Sequence, residues 1–347
     1  MTESAHIHPM LTWAQNDAMS FVTGIGRLYG GVGHVYRPVK EAESAMHRAH
    51  TAVAALRDLA DRAEAGGLPR PVDDRILNLV IDADVQIYQC MKRSAENTRR
   101  ARHRHRNTCS TMRRKVDAAA PCEALEAVRA VQSAANDSFT ILEQACIEDL
   151  AIADTAGSIN VGLEPPDERC KENPIPNPLI MWVERNVCPF LRAVTPKYGV
   201  GDPLKLSEHL RASADLIREL AAKNRTLARE AVDIGLDRVI PGIEASEARL
   251  ACEATRLADI EFHLYQTMRP VSHDVKKSRV ELRKINLALL EGIAKAKEDG
   301  DVVALIAKAR EAVDRTFNVI ASSLALSAHT ATELEEIIGF LGNEAEH

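Results

Sequence analysis

The pentapeptide PMLTW at positions 9–13 returns as PLIMW at 178–182, and that return limits the fold more than any other feature of the chain. At the same offset of 169, Phe21 meets Phe190, Tyr29 meets Tyr198 and Gly30 meets Gly199. After a four-residue slip, Pro38, Lys40 and Glu43 meet Pro203, Lys205 and Glu208. LRDLA at 56–60 matches IRELA at 217–221, and YQCMK at 88–92 matches YQTMR at 265–269. Phe139, Ile141 and Leu142 match Phe317, Val319 and Ile320. Ten of the thirteen aromatic residues therefore fall into pairs, and only Tyr36, Phe262 and Phe340 are left over. Aromatic side chains fill large, specific pockets, so two copies of one fold would keep them. The formal charge of −6 also divides evenly, −3 to each half. The expectation is a tandem duplication: repeat 1 over 1–158, a proline-rich linker over 159–177, and repeat 2 over 178–347.

Each copy should be helical. Aromatics make up 4% of the chain, and alanine, leucine and charged residues dominate, which favours helix over strand. The first copy reads as a short helix from Pro9 to Leu28, ending in the glycine cluster YGGVG. A second runs from Val39 to Ala65 with apolar or alanine positions at helical spacing (Ala45, Ala49, Val53, Leu56, Ala60). A third spans Val72 to Ala119, free of internal glycine and proline, and a fourth runs from Cys122 to Thr155. The second copy repeats these around breaks at 198–203, 240–242 and 299–300, with Pro270 inside its long helix as a point of kinking. The expected fold is all-α: two elongated antiparallel bundles, coiled-coil-like and related by an approximate two-fold.

The seven cysteines are odd in number, scattered and without a CxxC pair, so reduced thiols are expected rather than a disulfide framework. The N-terminal MTESAHIHPM lacks the basic start and apolar run of a signal peptide. No stretch approaches 18 uncharged apolar residues. The expected compartment is cytoplasmic.

Against this acidic background stands RRARHRHR at 99–106, within a block from Lys92 to Lys115 that holds ten basic residues and one acid, Glu96. Lys92, Arg99, Arg106 and Arg113 recur every seven residues and so share one helix face. The apolar positions between them (Ala95, Thr98, Ala101, Cys109, Met112) are thin, which implies shallow burial. At an offset of 177, Arg99, Arg100, Arg102 and Arg106 meet Lys276, Lys277, Arg279 and Arg283, and charge type survives between the copies. Arg269, Lys276 and Arg283 repeat the seven-residue spacing, diluted by Glu261, Asp274 and Glu281. Two readings compete. The block is a solvated face paired with Glu123, Glu126 or acids of a neighbouring helix, or it is a surface for a phosphate-bearing partner, which the planar arginine fork grips well. No aromatic lies within 92–115 to stack on unpaired bases. His273 followed by Lys276, Lys277, Arg279 and Arg283 is similar, over a dozen residues, to the His-then-basic helix of polyphosphate-binding CHAD domains. The first copy departs from that pattern with Glu96 at the matching position.

Residues for catalysis do not assemble. HIH at 6–8 and His47/His50 have no evident further ligands, and no Glu-x-x-His pair exists. GIGRLYGG at 24–31 follows no strand and fails the phosphate-loop pattern, so it reads as a helix break. No cofactor or metal is expected. The expected function is a non-enzymatic helical scaffold whose basic segments engage an anionic macromolecule or an acidic protein surface. A membrane-acting helical protein with peripheral contact to lipid is the alternative, and a helical enzyme with a site between the repeats is the third. The duplication makes the chain resemble a covalent dimer, so homo-oligomerisation is a further expectation.

Overall fold

The computed structural model describes residues 8–29, 36–67, 74–163, 177–197 and 243–345, and every regular element among them is helical. By its internal contacts the chain divides into two compact units. One comprises Leu11–Arg192 and Ile285–Phe317; the other comprises Met1–Met10, Ala193–Lys284 and Asn318–His347.

Helix α1 (Pro9–Trp13) opens with proline at a position that needs no N–H, and His8 Nδ1 accepts the Met10 amide at 3.2 Å. The helix widens into a π-helical turn at Ala14–Ala18, resumes as α2 (Met19–Ile25) and tightens into a 3-10 turn at Gly26–Leu28. The chain thus stays helical through Gly24 and Gly26 and leaves the helix at Tyr29, where the backbone becomes extended (ψ 116°). Helix α3 (Tyr36–Ala65) is closed by Gly67 at φ 69°, a left-handed conformation that glycine adopts without strain. Helix α4 (Asp74–Asp117) leads through a 3-10 turn at Pro121–Glu123 into α5 (Ala124–Leu163). Helix α5 overruns its expected end at Thr155, so residues 159–163 of the expected linker are helical. The first strong breakers, Pro165 and Pro166, come only after that point.

Beyond the linker, α6 (Pro178–Trp182) opens with Asn177 Oδ1 accepting the Leu179 amide at 2.9 Å. A second π-helical turn, Val183–Val187, joins it to α7 (Cys188–Lys197). The long helices α8 (Ile243–Asp299) and α9 (Val302–Ala345) follow. Helix α8 is helical on both sides of Pro270, so the proline costs a backbone hydrogen bond without ending the element. Gly300 (φ 72°) closes α8, and Asp301 Oδ1 accepts the Ala304 amide at 2.9 Å to open α9. The breaks expected at 198–203 and 240–242, with Tyr198 and Cys170, lie outside the described residues.

In the Leu11–Arg192/Ile285–Phe317 unit, α4 and α5 run antiparallel. Cys90 packs on Ala156, the Asn97 amide donates to the Ala145 carbonyl (3.0 Å), and His105 reaches Ser138 (3.1 Å). Helices α2 and α3 both pack on this pair. Six aromatic residues, Trp13, Phe21, Phe139, Trp182, Phe190 and Phe317, gather in one cluster. Phe21 and Phe190 stack with centroids 4.0 Å apart and ring planes 6° from parallel. Trp13 lies against Phe190 and Phe317 at 6.0 and 5.7 Å, while Phe21 also meets Trp182 and Phe139 at 6.2 and 6.5 Å. Such contacts are each worth about 1 kcal/mol beyond the area they bury. A polar contact joins α5 to α9: the Gln132 and Asn136 amides donate to Asp314 Oδ1 at 2.7 and 2.6 Å. Beside it, Arg310 donates to Thr140 and Glu143.

In the other unit, the described part of α8 buries Val271, Ser278 and Leu282, and that of α9 buries Ile320, Leu324, Ser327, Thr330 and Leu334. Tyr88 and Tyr265 break the rule that matched aromatics are core anchors. They are 58% and 64% exposed, beside Val85 and Phe262 at 51% and 62%.

Candidate functional site

Helix α4 owes its length to the absence of glycine and proline over 74–117. One side is buried at intervals of three, four or seven residues: Ala83, Ile87, Cys90, Asn97, Ala101, His105, Met112 and Val116. Two positions in that stripe are polar, so the segment is not thinly buried but filled by Asn97 and His105 where apolar residues run short. Lys92, Arg99, Arg106 and Arg113 are all exposed. At 1.5 Å per residue they stand roughly 10 Å apart in a row of about 30 Å.

Charge pairing accounts for little of this block. Arg100 pairs with Glu148 at 3.3 Å. Glu126 is engaged by Arg129 (3.1 Å), and the Glu123 carboxylate accepts the Ala120 amide (2.9 Å). Among the described residues no carboxylate lies within ion-pairing distance of Lys92, Arg99, Arg106 or Arg113. Arg102 has a different task. Its Nε donates to the Tyr29 carbonyl at 2.8 Å, so it ties the end of the Gly26–Leu28 turn to α4. On α8, Lys276, Lys277, Arg279 and Arg283 are likewise exposed, as is Arg269. Asp274 and Glu281 are half-buried and engaged in other interactions.

Beneath the α4 row lies a buried polar cluster that sequence reasoning missed. His105, in the middle of RRARHRHR, is 4% exposed. Its Nδ1 stands 3.1 Å from Ser138 Oγ and its Nε2 3.4 Å from the Cys109 thiol. The Tyr29 hydroxyl donates to the Ser138 carbonyl at 2.8 Å, and the Tyr29 ring lies 5.3 Å from the imidazole. Burial pushes the His105 pKa down, partly offset by a hydrogen bond to the Thr23 backbone, so the ring is neutral near pH 7. Burial also raises the Tyr29 hydroxyl far above its usual range, lifts the Cys109 thiol, and pushes Cys146 up to about 12. Farther along, the Asn97 amide donates to Asp149 Oδ1 at 3.1 Å. These bonds lock α2, α4 and α5 in register and hold the cationic row on a rigid base. The signal for His105 was its alignment with Leu282 at offset 177: Leu282 sits in the apolar stripe of α8, 3% exposed.

Among the described residues no group of three His, Cys, Asp or Glu is placed to hold a metal ion. His47 is exposed, and residues 6 and 7 lie outside the described set. A groove between α4 and α5, beside Asn97, Arg104 and Ile141 and crossed by the Arg100–Glu148 pair, encloses about 20 Å³, room for a water rather than an organic ligand. Among the described residues no helix is long and apolar enough to cross a membrane. Cys90, Cys109, Cys122, Cys146 and Cys188 are free thiols. No family model, curated protein or solved structure matches the chain.

Proposed function

We propose that the protein is a duplicated, two-fold-related helical scaffold whose exposed cationic rows on α4 and α8 hold an anionic partner. Several equivalences support the duplication. Pro9–Trp13 and Pro178–Trp182 are both α-helical, and each is followed by a five-residue π-helical turn at the same offset. Side chains at the matched positions His8 and Asn177 cap the two helices. The hydroxyls of Ser138 and Thr316, 178 apart, each donate to the carbonyl four residues back, Ala134 and Ala312. On a two-fold axis a residue meets its own equivalent. Phe21 stacks on Phe190 and Asn136 donates to Asp314, which are such pairs.

The binding reading rests on one observation. Lys92, Arg99, Arg106 and Arg113 stand in line, exposed, with no carboxylate among the described residues to neutralise them. Holding like charges together is unfavourable unless something outside the chain compensates, and a fixed row on a rigid base binds an anion with little ordering cost. An acidic protein surface, nucleic acid, polyphosphate and a lipid surface all meet that requirement. The test is salt-titrated binding of labelled duplex DNA, polyphosphate, anionic vesicles and an acidic helical peptide. The wild type is compared with R99A/R106A/R113A. Arg102 is left intact, because its bond to Tyr29 would confound the result. The expected result is binding to at least one probe that weakens with salt, with a shallower salt slope in the triple variant. No binding to any probe at low salt would overturn the proposal.

A further inference from the structure

We infer that the partner is an acidic α-helix lying along α4, and along the matching face of α8, with its apolar end against an exposed aromatic pair. The inference rests on the anionic-partner reading and narrows it. The cationic row does not stop at Lys92. Seven residues earlier stands Val85, and four residues before Lys92 stands Tyr88, both exposed. Val85, Lys92, Arg99, Arg106 and Arg113 therefore share one line, with Tyr88, an i+3 neighbour of Val85, flanking its apolar end. The α8 face repeats it at offset 177: Phe262 and Tyr265, then Arg269, Lys276 and Arg283, each exposed. Both faces run from an apolar pair to a cationic row in the same direction and register.

This order discriminates between partner classes. A nucleic acid or polyphosphate chain offers nothing to the apolar ends, and duplex phosphates follow one another every 3.4 Å along a strand that winds away from a straight rod. A bilayer favours an apolar face flanked by cations across the helix, whereas here the two chemistries are separated along the axis. A helix with carboxylates every seven residues matches the roughly 10 Å repeat by construction. Apolar residues at one end of it would cover Val85 and Tyr88, or Phe262 and Tyr265, in the way amphipathic helices use spaced anchors. The stripe from Val85 to Arg113 is about 42 Å long, the length of four heptads. Charge complementarity fixes the sign of the partner, since the row has no carboxylate of its own among the described residues.

Two synthetic helical peptides of about 28 residues, the length of the stripe, test this against the full-length chain by fluorescence anisotropy. One carries glutamates every seventh residue with leucines at one end. The other has the same composition with the glutamates scattered around the helix. Duplex DNA, polyphosphate and anionic vesicles are run alongside. The expected result is about ten-fold tighter binding of the in-register peptide than of the scattered one. Y88A/Y265A should weaken it several-fold without changing its salt slope, and R99A/R106A/R113A should lower the slope. Equal affinity for the two peptides, or tighter salt-dependent binding to DNA, polyphosphate or vesicles that ignores Y88A/Y265A, would overturn the helix partner while leaving the anionic-partner reading intact. Silence from every probe would remove both.

Discussion

Replacing Gly26 by alanine adds one methyl group to the 3-10 turn Gly26–Leu28, and the new Cβ would come within 2.7 Å of His105 Cδ2 and 2.8 Å of Nε2. Gly26 has ordinary helical angles (φ −59°), so alanine meets no backbone strain and gains about 1 kcal/mol of helix propensity. Against this stands the overlap. The imidazole is 4% exposed and held by Ser138, Cys109 and the Tyr29 ring. Overpacking of such a site costs about 1–3 kcal/mol. The net effect of Gly26→Ala is then a loss of about 0–2 kcal/mol, and the informative quantity is its dependence on His105. In a His105→Ala background the overlap is gone, so the same alanine should stabilise by about 1 kcal/mol. The coupling between the two changes equals the overlap, about 1–3 kcal/mol.

Gly292 supplies the control. Its added Cβ would meet Lys308 Cδ at 2.8 Å, within 0.1 Å of the Gly26 overlap, but a lysine chain has free rotamers and swings aside. Gly292→Ala should therefore stabilise by up to about 1 kcal/mol. Denaturant titration followed by tryptophan fluorescence is the assay, because both tryptophans, Trp13 and Trp182, lie in the aromatic cluster of the unit that contains all three sites. A Gly26→Ala protein as stabilised as Gly292→Ala, or a coupling to His105 below about 0.5 kcal/mol, would refute the reasoning.

Three further outcomes are expected. Burial depresses the His105 pKa below the ordinary value of about 6.5, so its stabilising contribution is complete above that value and is lost as pH falls from there toward the folded-state pKa. His105→Leu, which installs the residue found at the matched position 282, should flatten the acid side of a stability–pH profile; an unchanged profile would show that other groups set it. Phe21→Ala and Phe190→Ala should each cost about 3 kcal/mol, and the double variant less than their sum, since one stack is lost only once; strict additivity in denaturant melts would contradict a shared stack. Under native conditions a thiol reagent followed by mass spectrometry should label exposed Cys122 well before the buried Cys90 and Cys146, the latter raised to about 12; early labelling of Cys146 would mean that α4 and α5 open readily.

The helices were readable because their signals are local. The glycine- and proline-free run over 74–117 could only be one long helix, and Gly67 and Gly300 mark ends that demand a left-handed residue. The π-helical turns at Ala14–Ala18 and Val183–Val187 were not readable, because AQNDA and VERNV carry no propensity for an extra residue in the turn. Helix α5 runs past its expected end at Thr155 because the one glycine there, Gly157, costs only about 1 kcal/mol, and the flanking alanines and isoleucines sustain the helix.

The site was half legible. Seven-residue spacing placed Lys92, Arg99, Arg106 and Arg113 on one outward face, and all four are exposed. The match to Arg279 at offset 177 set Arg102 among the same charges, yet it is bonded to the Tyr29 carbonyl, and His105 within the block is buried and neutral. A helical repeat assigns faces, but which face is covered depends on α2 and α5, whose approach is fixed by Tyr29 and Ser138 more than 100 residues apart. Among the paired aromatics, Trp13, Tyr29, Phe139 and Phe317 are buried, Phe21 and Phe190 are half-buried in the same cluster as Trp13, and Tyr88 and Tyr265 are exposed. Kinship between two aromatics indicates that they share an environment, not that the environment is the core. A tyrosine stands exposed at both positions, each four residues before a lysine or arginine, and an aromatic ring left in water at two matched sites is what the proposed acidic helix would cover.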